Sequence, residues 1–231
     1  MRGAAGAVLA LHIAAGTISI GGGFTALITA KGARVHRLAG RVFARSMLVV
    51  VITAGVLALL DWNLYFAALT IGAAAPAFSG VRVLKRKRPE LDPAQRATRV
   101  DWAVSALLLA AAAVILGIGV TASPSPNRGL IFALAGAAAT HMLYDFWRFA
   151  NPTRWPVGPN VWLFEHIVRM LAAFFAGLAA FSGSVLVLFD PPWRQLWAII
   201  LGQWLMVAFL VRYRHGLRDR AERATAARKA A

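Results

Sequence analysis

The sequence of 231 residues contains no cysteine, and only 15% of its residues are charged. Without cysteine the chain has no disulfide, no thiolate nucleophile, no cysteine-ligated iron–sulfur cluster and no c-type haem attachment. A soluble domain carries about a quarter charged residues. The shortage of charge, together with 59% hydrophobic residues, therefore indicates a membrane protein.

Familiar enzyme signatures are also missing. The sequence has no G-x-S-x-G, H-E-x-x-H, Walker-loop or G-x-G-x-x-G pattern, which argues against soluble nucleotide chemistry. The net charge of +16 would suggest a nucleic-acid partner in a soluble protein. Here the basic residues lie between hydrophobic segments, so they indicate membrane topology and contact with anionic lipid headgroups, and no nucleic-acid partner is expected.

What the chain does contain is a series of apolar segments of the kind that cross a bilayer core of about 30 Å. The segments are continuous and rich in Leu and Ala, which favours helices over strands. The sequence predicts an all-α, polytopic seven-transmembrane-helix bundle forming a single transmembrane domain over residues 1–231. The predicted helices are residues 4–30, 46–60, 64–84, 102–122, 129–147, 161–189 and 193–211, followed by a basic cytosolic tail, 212–231, on the membrane surface.

The positions of Lys and Arg predict the orientation of this bundle. With the N-terminus outside, the connections after the first, third and fifth helices lie in the cytosol together with the C-terminal tail, and nearly all basic residues fall there. The outer segments hold only Arg2, Arg128 and Arg194. Lys and Arg in short loops favour the cytosolic side, so we expect an outside N-terminus and a cytosolic C-terminus.

A few polar side chains lie within or beside the apolar segments, where they are costly and usually functional. His12 lies in the first helix, and His36 and Arg37 lie in the connection after it. His141 and Asp145 are four residues apart and share a face of the fifth helix. In the sixth helix, Glu165 and His166 lie near the start, and Arg169 has the spacing of an ion pair with Glu165 on the same helix.

The fifth and sixth helices are consecutive, which places His141 and His166 at similar depths. Two imidazoles at one depth are typical ligands of a b-type haem. Alternatively, His141, Asp145, Glu165 and His166 are the candidate ligands of a divalent metal, or the same groups relay protons. A further interpretation is that these histidines only form hydrogen bonds between helices.

The first fifty residues carry two motifs, L-H-I-x-x-G at Leu11–Gly16 and K-G-x-x-x-H-R-x-x-G-R at Lys31–Arg41. They resemble the opening of a family of uncharacterised bacterial multi-pass inner-membrane proteins. The resemblance implies a location in the bacterial inner (plasma) membrane and makes His12, His36 and Arg37 part of a shared pattern. It implies no reaction, and the Ala-rich C-terminal tail departs from it.

Three functions are therefore open at this point. The first is a cofactor-binding, redox-type membrane protein that holds b-type haem or a metal with His12, His36, His141 or His166. The second is a small-molecule or proton-coupled transporter that uses His12 and Asp145. The third is a membrane complex assembly or scaffold protein, acting as a homo-oligomer or with a membrane partner.

Overall fold

The structure is a computed structural model, and it describes residues 2–122, 125, 127–153, 160–190 and 193–230. Every regular element in this part of the chain is a helix. Two short 3-10 turns, Val83–Lys85 and Pro93–Gln95, lie between the third and fourth α-helices. The α-helices are α1 (Arg2–Ile28), α2 (Arg34–Leu60), α3 (Leu64–Arg82), α4 (Arg99–Thr121), α5 (Arg128–Ala150), α6 (Val161–Val185) and α7 (Trp193–Ala230).

All seven helices contain a stretch that is long and apolar enough to cross a membrane. This confirms the all-α prediction and the number of candidate spans within the described residues. The helix ends have local causes. The carboxamide of Asn63 accepts hydrogen bonds from the backbone of Tyr65 and Phe66 at the start of α3, and Thr98 and Asp101 form a capping box at the start of α4.

The second helix differs most from its predicted bounds, because it begins at Arg34 and not at residue 46. Gly32 adopts a left-handed conformation with φ of +78°, which ends the short connection after α1 and lets α2 start two residues later. His36 and Arg37 therefore lie on the first turns of a helix and not in a loop. Long basic side chains are compatible with a helix at a membrane interface, since their charged ends reach water.

The last two helices also differ from their predicted bounds. Helix α6 ends at Val185, four residues before the predicted end at 189. Residues 212–230, which were predicted as a basic helical tail after the seventh helix, continue α7 without a break to Ala230. Lys, Arg and Ala have high helix propensity and the segment contains no proline, so the helix continues through Gly216.

Helices α3 and α6 occupy the centre of the bundle and pack on each other, while α1 and α7 lie at its edge. One apolar core joins α2, α6 and α7 and is rich in phenylalanine. Another joins α3, α4 and α5 and is rich in alanine, which allows close approach between helices. The buried residues of the first core include Phe43, Met47, Phe174, Phe175 and Ala198, and those of the second include Ala68, Ile71, Ala112, Ala135 and Met142.

Candidate functional site

A cluster of buried charged side chains lies at one end of the central helices, where α3 and α5 finish and α4 and α6 begin; we call this end the basic end. Asp145 of α5 is 1% exposed and Arg169 of α6 is 3% exposed. Arg169 Nη2 donates to Asp145 Oδ1 at 2.6 Å, and the hydroxyl of Ser79 on α3 donates to Asp145 Oδ2. Asp145 therefore joins three helices through one carboxylate.

A parallel arrangement holds Glu165, which is 9% exposed at the start of α6. Its Oε1 accepts from the hydroxyl of Tyr144 at 2.7 Å and from Nε of Arg148 at 3.1 Å. The predicted ion pair between Glu165 and Arg169 is thus wrong, because each of them pairs with α5 instead. Partners on an adjacent helix give the buried charges short contacts, and a buried charge without such a partner is strongly destabilising.

A third carboxylate, Asp101 at the start of α4, is fully buried. Arg82 at the end of α3 binds both of its oxygens, with Nε and Nη2 at 2.7 and 2.6 Å. Arg86 approaches from the following connection, with Nη1 at 3.4 Å from Asp101 Oδ1. Asp101 also accepts from the backbone and hydroxyl of Thr98 as part of its capping box, so it anchors the connection between α3 and α4.

The four arginines and three carboxylates of these contacts carry an excess of one positive charge. We call them the charged cluster, and its members are Arg82, Arg86, Arg148, Arg169, Asp101, Asp145 and Glu165. A cavity of about 20 Å³ lies among them, which is enough for about one water molecule. Its lining includes Arg86, Asp145, Arg148, Glu165 and Arg169. The buried charges therefore surround a small, partly open cavity at the basic end of the bundle.

Arg86 is the member of the charged cluster that comes from the connection between α3 and α4. It is 7% exposed and its guanidinium lies 4.4 Å from the centre of the Phe149 ring. Its Nη1 is buried and makes no hydrogen bond. Burial lowers the pKa of this guanidinium from its ordinary value, and the carboxylates of Asp145 and Asp101 oppose that shift.

The predicted cofactor-binding histidines are spread over four helices. His36 and His166 donate from Nδ1 to the carbonyls of Ala26 and Gly80, at 3.0 and 2.9 Å. His141 donates to Ala137, one turn earlier on its own helix, at 2.8 Å. A carbonyl only accepts, so each of the three imidazoles carries a proton on Nδ1, and its Nε2 is not the atom that makes this bond.

The two remaining residues of the shared sequence pattern lie near α2. Nδ1 of His12 is 2.9 Å from the hydroxyl of Thr53, which links α1 to α2 in the middle of the bundle. Arg37 is exposed and donates to the carbonyl of Gly32, in the connection before its own helix. Neither residue belongs to the charged cluster.

The predicted metal ligands His141, Asp145, Glu165 and His166 do not form a ligand group. Asp145 and Glu165 each accept from an arginine, while His141 and His166 bond to separate carbonyls. Among the described residues, no three His, Cys, Asp or Glu side chains come together in a group that could hold a metal ion.

A second, larger cavity of about 400 Å³ lies between α1 and α2. It is wide open, and its lining is almost entirely apolar, with Arg45 and Ser46 as its polar members. In a membrane such a groove faces lipid chains, so it does not resemble a site for a charged substrate.

Sequence reasoning missed part of the charged cluster, because Arg82, Arg86 and Arg148 were counted only as markers of topology. One local signal was available. The chain has only nine acidic residues, and Asp101 stands three residues after Thr98, directly before an apolar run, which is the pattern of a capping box. The cross-helix partners carry no comparable signal, since they are separated by 17 to 66 residues.

No protein-family description, curated protein or solved structure matches the chain. The resemblance of the first fifty residues to uncharacterised bacterial membrane proteins stays a prediction.

Proposed function

We propose that this protein is a proton-coupled transporter of the bacterial inner membrane, with the charged cluster as its coupling site. The observation that carries the proposal is the pair of buried ion pairs, Asp145–Arg169 and Glu165–Arg148, that join α5 to α6 beside a small cavity. Ionisable side chains in membrane helices are expensive, and they commonly line ion or proton pathways.

Protonation of a carboxylate gives the cluster two states. When Glu165 is ionised it holds Arg148 and Tyr144, which lie on α5. A proton on Glu165 cancels the charge that pairs with Arg148 and leaves excess positive charge beside the cavity. A buried unpaired charge is costly, so proton binding favours either the opening of the cluster to water or the entry of a counter-ion.

Helix α3 supplies a plausible point of movement beside the cluster. Pro76 lies within this helix, and because proline has no N–H, the carbonyl of Gly72 lacks its usual intrahelical donor. One turn later, the hydroxyl of Ser79 donates to Asp145, and the carbonyl of Gly80 accepts from His166. A bend at Pro76 would therefore change the contacts of both groups.

The orientation belongs to the same proposal. Lys and Arg in the connections after α1, α3 and α5 and in the end of α7 favour a cytosolic basic end in contact with anionic headgroups. Lys87, whose ammonium lies 4.6 Å from the centre of the Trp162 ring, supports an interface at this level, since tryptophan is enriched there. The charged cluster would then open toward the cytosol.

The proposal is tested in proteoliposomes that enclose a pH-sensitive dye. A panel of small salts, carboxylic acids, amino acids and sugars is added outside, and internal pH is recorded. We expect at least one solute to change the internal pH faster than in empty liposomes, and Glu165→Gln to abolish that difference. Asp190→Asn, an exposed carboxylate beyond the opposite end of α6, is the matched control and should retain it. If no solute distinguishes protein-containing from empty liposomes, the proposal is wrong.

Haem binding is the second candidate, and one observation favours it. Histidines that bind metals usually donate their other ring nitrogen to a carbonyl or carboxylate, as His36, His141 and His166 do. Those residues would present Nε2 to the group, which would supply electron transfer. Protein purified in mild detergent should then show a Soret band, and its absence would remove this candidate.

A further inference from the structure

The cavity beside Arg86 has the features of a binding site for a negative ion. Three arginines and two carboxylates line it, namely Arg86, Arg148, Arg169, Asp145 and Glu165. Both carboxylates are already paired at hydrogen-bond distance with arginines of the adjacent helix. The positive charge that remains when these pairs are complete belongs to Arg86.

Asp101 lies within ion-pair distance of Arg86, but it is shared with Arg82 and therefore neutralises Arg86 only in part. Both oxygens of Asp101 bind Arg82 at 2.6 and 2.7 Å, and the backbone and hydroxyl of Thr98 donate to it as well. Nη1 of Arg86 stays at 3.4 Å from this carboxylate and forms no hydrogen bond. A buried guanidinium donor without an acceptor costs free energy that an additional anion would recover.

We propose that the cavity at Arg86 binds a small monovalent anion, either a halide or the carboxylate of a small organic acid, and that this anion is the substrate of the transporter. The second part rests on the proposed function, and the first does not. The charge matches because the cluster has one excess positive charge. The size matches because about 20 Å³ admits a single small ion or one end of a carboxylate, and the Phe149 ring covers the guanidinium from one side.

Proton coupling then has a direct physical cause. With Glu165 ionised, the anion neutralises Arg86 alone. With Glu165 protonated, the cavity loses one negative charge, so it attracts the anion more strongly. By linkage, anion binding also favours the protonated form of Glu165. Proton and anion therefore enter together, with no net charge added to the cluster.

The test measures anion binding to the purified protein without any transport. Protein in detergent is kept in sucrose with a zwitterionic buffer, which supplies no halide or carboxylate, and is titrated with potassium chloride, potassium acetate or potassium sulfate. Binding is followed by calorimetry and by the temperature of unfolding. We expect saturable binding of chloride or acetate, and weak or no binding of sulfate, which is larger and carries two charges. If only chloride binds, the site accepts halides; if only acetate binds, it accepts carboxylates.

Arg86→Gln should weaken this binding by about tenfold or more, because it removes the charge and the free donor. The fold should tolerate this change, since Asp101 keeps Arg82 and its capping contacts. Arg86→Lys retains the charge and should lose less affinity. Arg88→Gln, two residues away, is the matched control. The Arg88 side chain is 43% exposed, pairs with Glu90 and does not line the cavity, so the anion affinity of this variant should equal that of the wild type.

Two results would overturn the inference: no saturable binding of chloride or acetate to the wild type, which would mean that water alone fills the cavity, or equal affinity in the wild type and in both Arg86 variants. The outcomes separate it from the proposed function. Binding at Arg86 without solute-driven pH change in liposomes would keep the anion site and reject transport. Solute-driven pH change without anion binding would reject the anion site and keep transport.

Discussion

At the scale of single residues, the charged cluster is organised by pairing across helices. Asp145 and Arg169 are both almost fully buried and meet at 2.6 Å. Asp145 lies about 8 Å from the end of α5, and Arg169 about 12 Å from the start of α6, at 1.5 Å per residue. Neither side chain has another partner of opposite charge at hydrogen-bond distance in the described part of the chain.

This pairing predicts a coupled effect on stability. Asp145→Asn leaves Arg169 charged and buried, and Arg169→Met does the same to Asp145, so each should lower the free energy of unfolding by about 3–5 kcal/mol. The double variant leaves no unpaired charge and should cost less than either single variant. Unfolding in mixed detergent–SDS micelles measures all three. Costs that simply add in the double variant would show that the two residues are not coupled.

The histidines illustrate the limits of reasoning from residue type. His141 and His166 were predicted to lie at similar depths, and in the structure each bonds to a different backbone carbonyl. The predicted depth followed from counting residues along two helices. Helix rotation about its own axis decides whether two side chains face each other, and residue counting does not give that rotation.

At the scale of the helix, glycines in α1 determine how closely it packs. A Cβ on Gly22 would lie 3.0 Å from the backbone nitrogen of Phe43, and one on Gly23 would lie 2.3 Å from the ring of Phe174. Gly21, adjacent in sequence, faces open space. The close approach of α1 to α2 and α6 therefore depends on two of the three consecutive glycines.

Alanine substitutions at these adjacent positions should give opposite results. Gly22→Ala and Gly23→Ala each force α1 away from its neighbours and should destabilise the protein by about 1–3 kcal/mol, the usual cost of overpacking. Gly21→Ala adds helix propensity without a clash and should be neutral or stabilising by up to about 1 kcal/mol. Thermal unfolding in detergent compares the three variants. Equal effects at all three positions would contradict the packing of α1 described here.

At the scale of the whole molecule, the basic end and the opposite end differ in chemistry. The basic end holds the charged cluster and the Lys- and Arg-rich connections. At the opposite end, the Ser182 hydroxyl on α6 donates to the carbonyl of Arg194 on α7. The positive-inside rule predicts an outside N-terminus from the concentration of Lys and Arg in the connections at the basic end.

Because the chain has no cysteine, single introduced cysteines report the orientation without background. Ala33→Cys and Ala94→Cys, in the connections after α1 and α3, should react with a membrane-impermeant maleimide only after the cells are broken. Asp61→Cys and Ala122→Cys, at the other end of the bundle, should react in intact cells. The reverse pattern would place the N-terminus in the cytosol and overturn the predicted orientation.

The sequence by itself determined the all-helical class, the seven apolar segments and the concentration of basic residues at one end of the bundle. These properties depend on local hydropathy and on helix periodicity, which each segment carries alone. The start of α2 was the exception, since twelve residues of basic helix were predicted as a connection and only the positive φ of Gly32 marks where that connection ends.

Only the tertiary structure decided which charges meet. The Glu165–Arg169 pair predicted from spacing is replaced by Asp145–Arg169 and Glu165–Arg148, and Arg86 comes to lie beside a cavity with a free donor. The physical reason is that burying a charge requires the partner with the best geometry, and in a helical bundle that partner belongs to an adjacent helix. The rotation and depth of packed helices set this geometry, and these result from contacts between residues far apart in the chain.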